Sequence, residues 1–229
     1  MRKAILIIFI LLVISVLAGM FFYTRIFVYV FSKDYKLEIS YKSAVANFKG
    51  EIFFKDLSLV SKDTNVGFFA RKADVNPRYS MKGVTLNFRL NDVKFMKVGS
   101  KEEPVKYDTI TALLASPFNS RWNYSTIIGE ITPTAKEMRV KNVEVVGEDI
   151  RVSLNGNIMY FSGMVDSDIV IYFSDRLTSE IPPEMLGIIL SNEKPGWKTL
   201  SVRLTGDLNK PAVQVTSKLF RLNIKAAGS

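Results

Sequence analysis

The chain contains no cysteine and no histidine in its 229 residues. The first absence rules out disulfides, a thiolate nucleophile and any cysteine-based zinc site. The second removes Ser-His-Asp and Cys-His catalysis, and together they remove nearly all zinc chemistry. Stability has to come from burial, and a hydrophobic content of 48% is ample for a core. Phosphate-cradling loops are missing as well. Gly147 and Gly156 stand between strand-like segments, and no helix carrying Lys-Ser or Lys-Thr follows them. No spacing of Ser, Asp, Glu or Lys singles out a hydrolytic set. The expectation is a protein that is not an enzyme, with no catalytic residue, no cofactor and no metal.

The acidic pairs point the same way. Asp166 and Asp168 lie two apart on one strand face, a spacing that can hold a hard cation or supply an acid and a base. With no further carboxylate beside them, they read as a solvated face. Glu102-Glu103 falls in a polar break and reads as exposed. Asn123-Tyr124-Ser125 is a glycosylation sequon of the kind that arises by chance. Lys and Arg outnumber Asp and Glu by 31 to 22, a net charge of +9. They are scattered, and no basic helix or Gly-rich RNA motif gathers them, so nucleic acid is disfavoured. Anionic headgroups and simple solubility remain.

What the chain does have is a long apolar N-terminus. After Arg2-Lys3, residues Ala4 to Thr24 carry no charge until Arg25, and the run resumes as Ile26-Phe27-Val28-Tyr29-Val30-Phe31. About 20 apolar residues at a rise of 1.5 Å span the roughly 30 Å core of a bilayer and satisfy their own backbone hydrogen bonds. A cleaved secretory signal is the alternative, with Val16-Leu17-Ala18 as the cut. Retention is favoured because cleavage after Ala18 would leave Met20, Phe21, Phe22 and Tyr23 as a greasy free end. Tyr23, Tyr29 and Phe31 suit an interfacial aromatic belt, and Arg2 and Lys3 favour a cytoplasmic N-terminus. Residues 1–31 are read as a membrane anchor and interfacial segment.

Period-two alternation dominates the remainder. Gly83 to Leu90 is the cleanest case, with Val84, Leu86, Phe88 and Leu90 on one face and Thr85, Asn87 and Arg89 on the other. Segments 36–42, 51–60, 66–75, 137–146, 150–154, 157–161, 166–173, 197–204 and 212–224 read as further strands of antiparallel sheet. Leu154-Asn155-Gly156-Asn157 predicts a tight hairpin, since Asn-Gly accepts the positive φ of a type I′ turn. Ser100 to Pro104 is a polar break, either a loop or a boundary between two sheets. Tyr107 to Ala115 predicts a short helix ended by Ser116-Pro117, and Ile181 to Leu190 a short apolar helix or lid. A weak echo joins Val84–Asp92, Ile150–Gly156 and Leu200–Gly206, although half-buried strands resemble one another anyway. The division expected is an N-terminal β region over 32–99, a loop and short helix over 100–118, and a C-terminal β region over 119–229.

Apolar stripes on these strands, Val84/Leu86/Phe88/Leu90, Val152/Leu154 and Leu200/Val202/Leu204, line either a closed core or an open groove that holds acyl chains. Alternation is the same in both cases, and the closed core is the commoner.

The order of segments resembles the AsmA-like family of inner-membrane-anchored periplasmic proteins of diderm bacteria. The apolar anchor comes first. Phe48-Lys49-Gly50-Glu51-Ile52-Phe53-Phe54-Lys55-Asp56-Leu57-Ser58-Leu59, then Phe68-Phe69-Ala70-Arg71-Lys72-Ala73-Asp74-Val75, is similar to that family's early Asp-Leu-x-Leu and Ala-Asp-x-Val progression. Leu204-Thr205-Gly206-Asp207-Leu208-Asn209-Lys210-Pro211-Ala212-Val213 resembles its closing Gly-x-Leu-x-x-Pro-x-Val. The segment from Gly147 to Phe173 is similar to its strand pairs with a turn glycine. The resemblance covers nearly the whole chain, and the family's larger members are far longer. It implies a mainly β fold: one N-terminal transmembrane helix, then a curled, incompletely closed antiparallel sheet, a groove or half-barrel, with one or two short helices. It implies lipid handling in transport toward, or homeostasis of, the outer membrane, with phospholipid or another acyl lipid, the membrane and other envelope proteins as partners. The place implied is the bacterial inner membrane, single-pass, with the bulk periplasmic. An assembly subunit resembling the type II secretion N protein or the lipopolysaccharide-transport LptC protein, acting by strand pairing, is the other expectation.

Overall fold

The computed structural model describes residues 19, 22–30, 32–33, 36–62, 66–81, 83–97, 110–159, 162–179, 181–207, 212–216 and 221–225. The expected anchor lies largely outside them. Among the described residues no helix is long and apolar enough to cross a membrane. A first helix, α1, covers residues 22–30. Its Tyr23, Phe27 and Val28 pack against the core, and the Tyr23 and Tyr79 hydroxyls lie 2.7 Å apart.

Thirteen strands make one antiparallel sheet. They are β1 Leu37–Ser40, β2 Ser43–Ala46, β3 Ile52–Ser61, β4 Val66–Ser80, β5 Gly83–Lys97, β6 Asn123–Pro133, β7 Glu137–Gly147, β8 Ile150–Met159, β9 Met164–Ser174, β10 Ser191–Lys194, β11 Trp197–Asp207, β12 Ala212–Thr216 and β13 Arg221–Lys225. The path runs β1-β3-β4-β5-β6-β7-β8-β9-β11-β12-β13, with β2 beside β3 and β10 beside β11. From β3 to β9 and from β11 to β13 this is a meander in which each strand pairs with its sequence neighbour, while β1 pairs with β3 and β9 with β11. β1 and β13 are not paired with each other, so the sheet is not closed. β5 pairs with β6 across the polar break, so the break interrupts the chain and not the sheet.

Two kinds of connection divide the sheet into two ends. At the hairpin end, short links join β2 to β3, β4 to β5, β6 to β7 and β8 to β9. At the helix-capped end sit α2 Ile110–Ala115, the 3-10 turn Ser116–Phe118, α3 Asp175–Thr178 and α4 Pro183–Ile189. The short helices are thus more numerous than the one or two expected. α2 and α4 fall inside the segments that predict them, and both are packed, with Leu113, Ile181 and Ile189 all buried.

The expected hairpin at Leu154–Asn157 does not form. β8 runs straight from Ile150 to Met159, and Asn155, Gly156 and Asn157 pair with Asp168, Ser167 and Asp166 of β9. The glycine serves close approach and not a turn. A Cβ on Gly156 would stand 2.1 Å from the Ser167 hydroxyl oxygen and 2.7 Å from the Asp166 carbonyl oxygen. The Asn155 side chain is engaged with the neighbouring strand, where its oxygen accepts from the Asn142 backbone N–H at 2.7 Å.

Alternation also slips once in each of four adjacent strands, at the same level. Asp56, Arg71, Asp92 and Ser125 are skipped in the pairings of β3, β4, β5 and β6. In each strand two consecutive polar residues sit between inward ones: Phe54 then Leu57, Ala70 then Ala73, Leu90 then Val93, Tyr124 then Ile127. Asp56 and Asp92 take φ of 52°, a left-handed conformation that Asp tolerates better than most side chains. Because all four strands carry the extra residue together, the register on either side survives while the strands bend.

Candidate functional site

The inner face of the sheet is a set of apolar rows that cross it strand by strand. One row is Phe54, Ala73, Leu90, Ile127, Val145, Val152, Ile171 and Leu200, each opposite the next. The next row toward the hairpin end is Ile52, Val75, Phe88 and Gly129, continued by Val143, Leu154, Ile169, Val202 and Val215. Gly129 lets this row bend. A Cβ there would meet Val143 Cγ2 at 2.6 Å and Phe88 Cζ at 2.8 Å, so the two neighbours fill the space the glycine leaves. A third row holds Pro77, Leu86, Ile131, Val140, Gly156, Ser167, Leu204 and Val213. Val84 lies one step further out, opposite Tyr79.

All nine residues that the alternation singles out therefore share one face. Leu90, Val152 and Leu200 belong to the first row, Phe88, Leu154 and Val202 to the second, Leu86 and Leu204 to the third, and Val84 to the rim. Their burial differs by position. Leu86, Leu90, Leu200 and Val202 are buried, whereas Val84, Phe88, Val152, Leu154 and Leu204 are half-buried.

The gradient has a physical cause at each end. Toward the helices, Val93, Tyr124, Ile150 and Phe173 are almost wholly enclosed. The Tyr124 hydroxyl donates to the Pro117 carbonyl at 2.6 Å, and Phe95 stacks edge-on against both Phe118 and Tyr124, with centroids 5.5 and 5.7 Å apart. Leu113, Leu177 and Ile189 complete this seal. Toward the hairpins no helix covers the sheet among the described residues apart from α1. There Ile131, Met138, Val140 and Ile158 are half-buried, and none of them joins the main core cluster.

A polar clamp fixes the helix-capped end. Asp149, in the β7–β8 turn, is buried and accepts from Ser174 Oγ at 2.7 Å, from Arg176 Nε at 2.9 Å and from a second Arg176 nitrogen. The Arg176 hydrogen bond holds the Asp149 carboxyl below its usual range, burial opposes that, and the Ser174 hydroxyl assists it. Ser174 also caps α3, its hydroxyl accepting from the Leu177 N–H. The clamp joins residues 27 apart in sequence, which no local pattern announces.

The outer face carries the charges. Arg203 Nη2 lies 3.1 Å from Asp166 and Nε lies 3.9 Å from Asp168, so the acidic pair faces a cation of the next strand on a solvated surface. Among the described residues no group of carboxylates is arranged to hold a metal. A depression of about 440 Å³ on this side is lined by Phe53, Asp74, Asn76, Asn87, Arg89 and Glu130, among others. Glu51 closes one wall by accepting from the side-chain amides of Asn47 and Asn76 at 2.6 and 2.8 Å. Its lining mixes both signs of charge with amide side chains.

No family model matches the chain, and neither a curated protein nor a solved structure matches it.

Proposed function

We propose that this is a membrane-anchored periplasmic protein, AsmA-like in kind, that shields the acyl chains of a lipid and performs no catalysis. The observation that carries the reading is the burial along one apolar face: it is enclosed at the helices, whereas toward the hairpins Val84, Leu154, Ile158 and Leu204 are half-buried beside the buried Ile52, Leu86 and Val165. Acyl tails need an apolar lining with few polar groups, and Val84, Phe88, Leu154 and Leu204 share one half-buried apolar face. Basic residues on the surrounding surface suit anionic headgroups. Eleven strands along the sheet path, at ~4.8 Å each, span about 50 Å. That length serves local shielding, or one section of a longer assembly, in transport toward the outer membrane or in its upkeep.

Native mass spectrometry of the detergent-extracted full chain tests this. Phospholipid is expected to co-purify, and the pair Val84→Lys with Leu154→Lys is expected to abolish that while the far-ultraviolet signature of the sheet remains. Lipid-free protein throughout overturns the reading.

A second reading rests on the two unpaired edges. β1 with β2 at one side and β13 at the other have no strand beyond them among the described residues, and a partner strand adding to either would make the protein an assembly subunit of an envelope machine. Cross-linking in cells to one stoichiometric partner through β1 or β13 favours it.

A further inference from the structure

We propose that the hairpin end of the sheet, together with the outward stripe of α1, is the surface that lies against the bilayer, with an anionic headgroup layer as its partner. The inference rests on the membrane-anchored reading and adds to it which edge of the domain meets lipid and how firmly it is held there.

Exposed apolar side chains are the first observation. Phe48 is 85% exposed in the β2–β3 turn, Tyr79 66% and Met81 fully exposed at the β4–β5 turn, and Met159 and Met164 flank the β8–β9 turn at 48% and 42%. Single exposed hydrophobics are ordinary, but several on the tips at one end of a sheet mark a contact surface. The helix adds a second patch. α1 presents Tyr23, Phe27 and Val28 to the core and leaves Phe22, Ile26, Tyr29 and Val30 exposed. These four fall at helical spacing on one side and are exposed, so α1 is apolar on both faces.

Position supplies the third observation. The Tyr23–Tyr79 hydroxyl contact, and the Tyr23 hydroxyl lying 3.8 Å from the Cβ position of Gly50, put the start of α1 at the hairpin end. In the sequence, the apolar run that opens at Ala4 reaches the fold at Tyr23. The chain thus passes from its greasiest segment into the sheet at the edge where the greasy tips lie. Charge agrees. Lys49 and Arg78 are exposed at or near the β2–β3 and β4–β5 turns, and Lys136 in the β6–β7 turn, where long basic side chains can keep apolar stems in the interface and their heads among phosphates. At the opposite end the acidic residues Glu148, Asp149 and Asp175 are paired with Arg176 and Lys198.

The lack of cysteine makes the test clean. Single variants Met81→Cys, Met164→Cys and Phe118→Cys of the full chain carry a nitroxide, in vesicles of phosphatidylethanolamine with phosphatidylglycerol. At 81 and 164, accessibility to oxygen is expected to exceed that to a water-soluble nickel chelate, and at 118 the ratio is expected to invert. Replacing phosphatidylglycerol by phosphatidylcholine is expected to move the labels at 81 and 164 outward; no movement overturns the part played by headgroup charge. If the protein floats with the vesicles but 81 and 164 read like 118, the docking surface is wrong and the anchor stands. If it does not float with them at all, both fall. Dipolar broadening between labels at 81 or 164 means that a second copy covers this edge, which also overturns the proposal.

Discussion

Along β8, Ile150 is 1% exposed, while Val152, Leu154 and, at the far tip, Ile158 are half-buried. β5 repeats the trend, from a fully enclosed Val93 to a half-buried Val84. The two ends of the sheet share strands, residue types and alternation. They differ in what folds over them: helices, a 3-10 turn and the ion pair of buried Asp149 with exposed Arg176 at one end, short turns and α1 at the other. Strand chemistry therefore fixes which face is apolar, and the connections fix where that face is sealed. A groove can be made from ordinary core-forming strands simply by leaving one end of them uncovered.

Truncation should separate the ends most sharply. Phe173→Ala removes a fully buried ring and is expected to cost about 3–5 kcal/mol. Leu154→Ala, on the same face but half-buried, is expected to cost about 1 kcal/mol, since the site already touches solvent. Denaturant unfolding of both variants reads the difference. Equal losses would mean that the hairpin end is as tightly packed as the other.

The clamp comes next. Asp149→Asn is expected to lose about 2–3 kcal/mol, because charge-assisted bonds weaken and the buried site stays polar. Its pH dependence has a definite sign. The folded carboxyl titrates below the unfolded value of about 3.9. Its stabilisation is therefore present above that value and lost as pH falls through the folded one. The native chain should lose stability over that acid range faster than Asp149→Asn does. Parallel curves would show that the pair contributes no proton-linked stability.

How far the sequence reveals this comparison depends on distance along the chain. Val84 to Leu90 declare their face through alternation alone, and the nine stripe residues meet on one surface because a meander keeps neighbours adjacent. The row of bends is also written locally, as consecutive polar pairs Lys55-Asp56, Arg71-Lys72, Asn91-Asp92 and Ser125-Thr126 inside otherwise alternating strands. Asn155-Gly156 misleads, because the tolerance that suits a tight turn also suits a strand pressed against Ser167. The docking of α1 is hidden for another reason: residues 26–31 are uniformly apolar, so no period distinguishes the side that packs from the side that does not. Sealing by Asp149 with Arg176, and by Tyr124 with Pro117, depends on loops returning across the sheet end, which local pattern does not encode.

The middle of the sheet offers a smaller effect that tests whether the uncovered half can yield. Gly156→Ala sets a methyl group against Ser167 and the Asp166 carbonyl, and is expected to cost about 1–2 kcal/mol. Adding Ser167→Ala should recover part of it, since the hydroxyl contact goes and the carbonyl contact stays. Full recovery would mean that β8 and β9 separate easily, as a sheet that opens to admit lipid would require.

The smallest effect on stability is expected at the tips, and it completes the contrast. Met81→Ser and Met159→Ser change side chains that are exposed in the fold, so each should alter unfolding free energy by less than about 0.5 kcal/mol. Their worth, on the proposed orientation, is realised only against lipid. In detergent-free vesicles the double variant should therefore show greater protease access to the β4–β5 and β8–β9 turns than the native chain, with unfolding unchanged. Phe118→Ser, also at an exposed apolar side chain but at the helix-capped end, is the control and should leave protease access at those turns alone. If the tip variant were instead as destabilising as Leu154→Ala, the methionines would belong to the packed interior, and the distinction between a sealed end and a membrane-facing end would lose its basis.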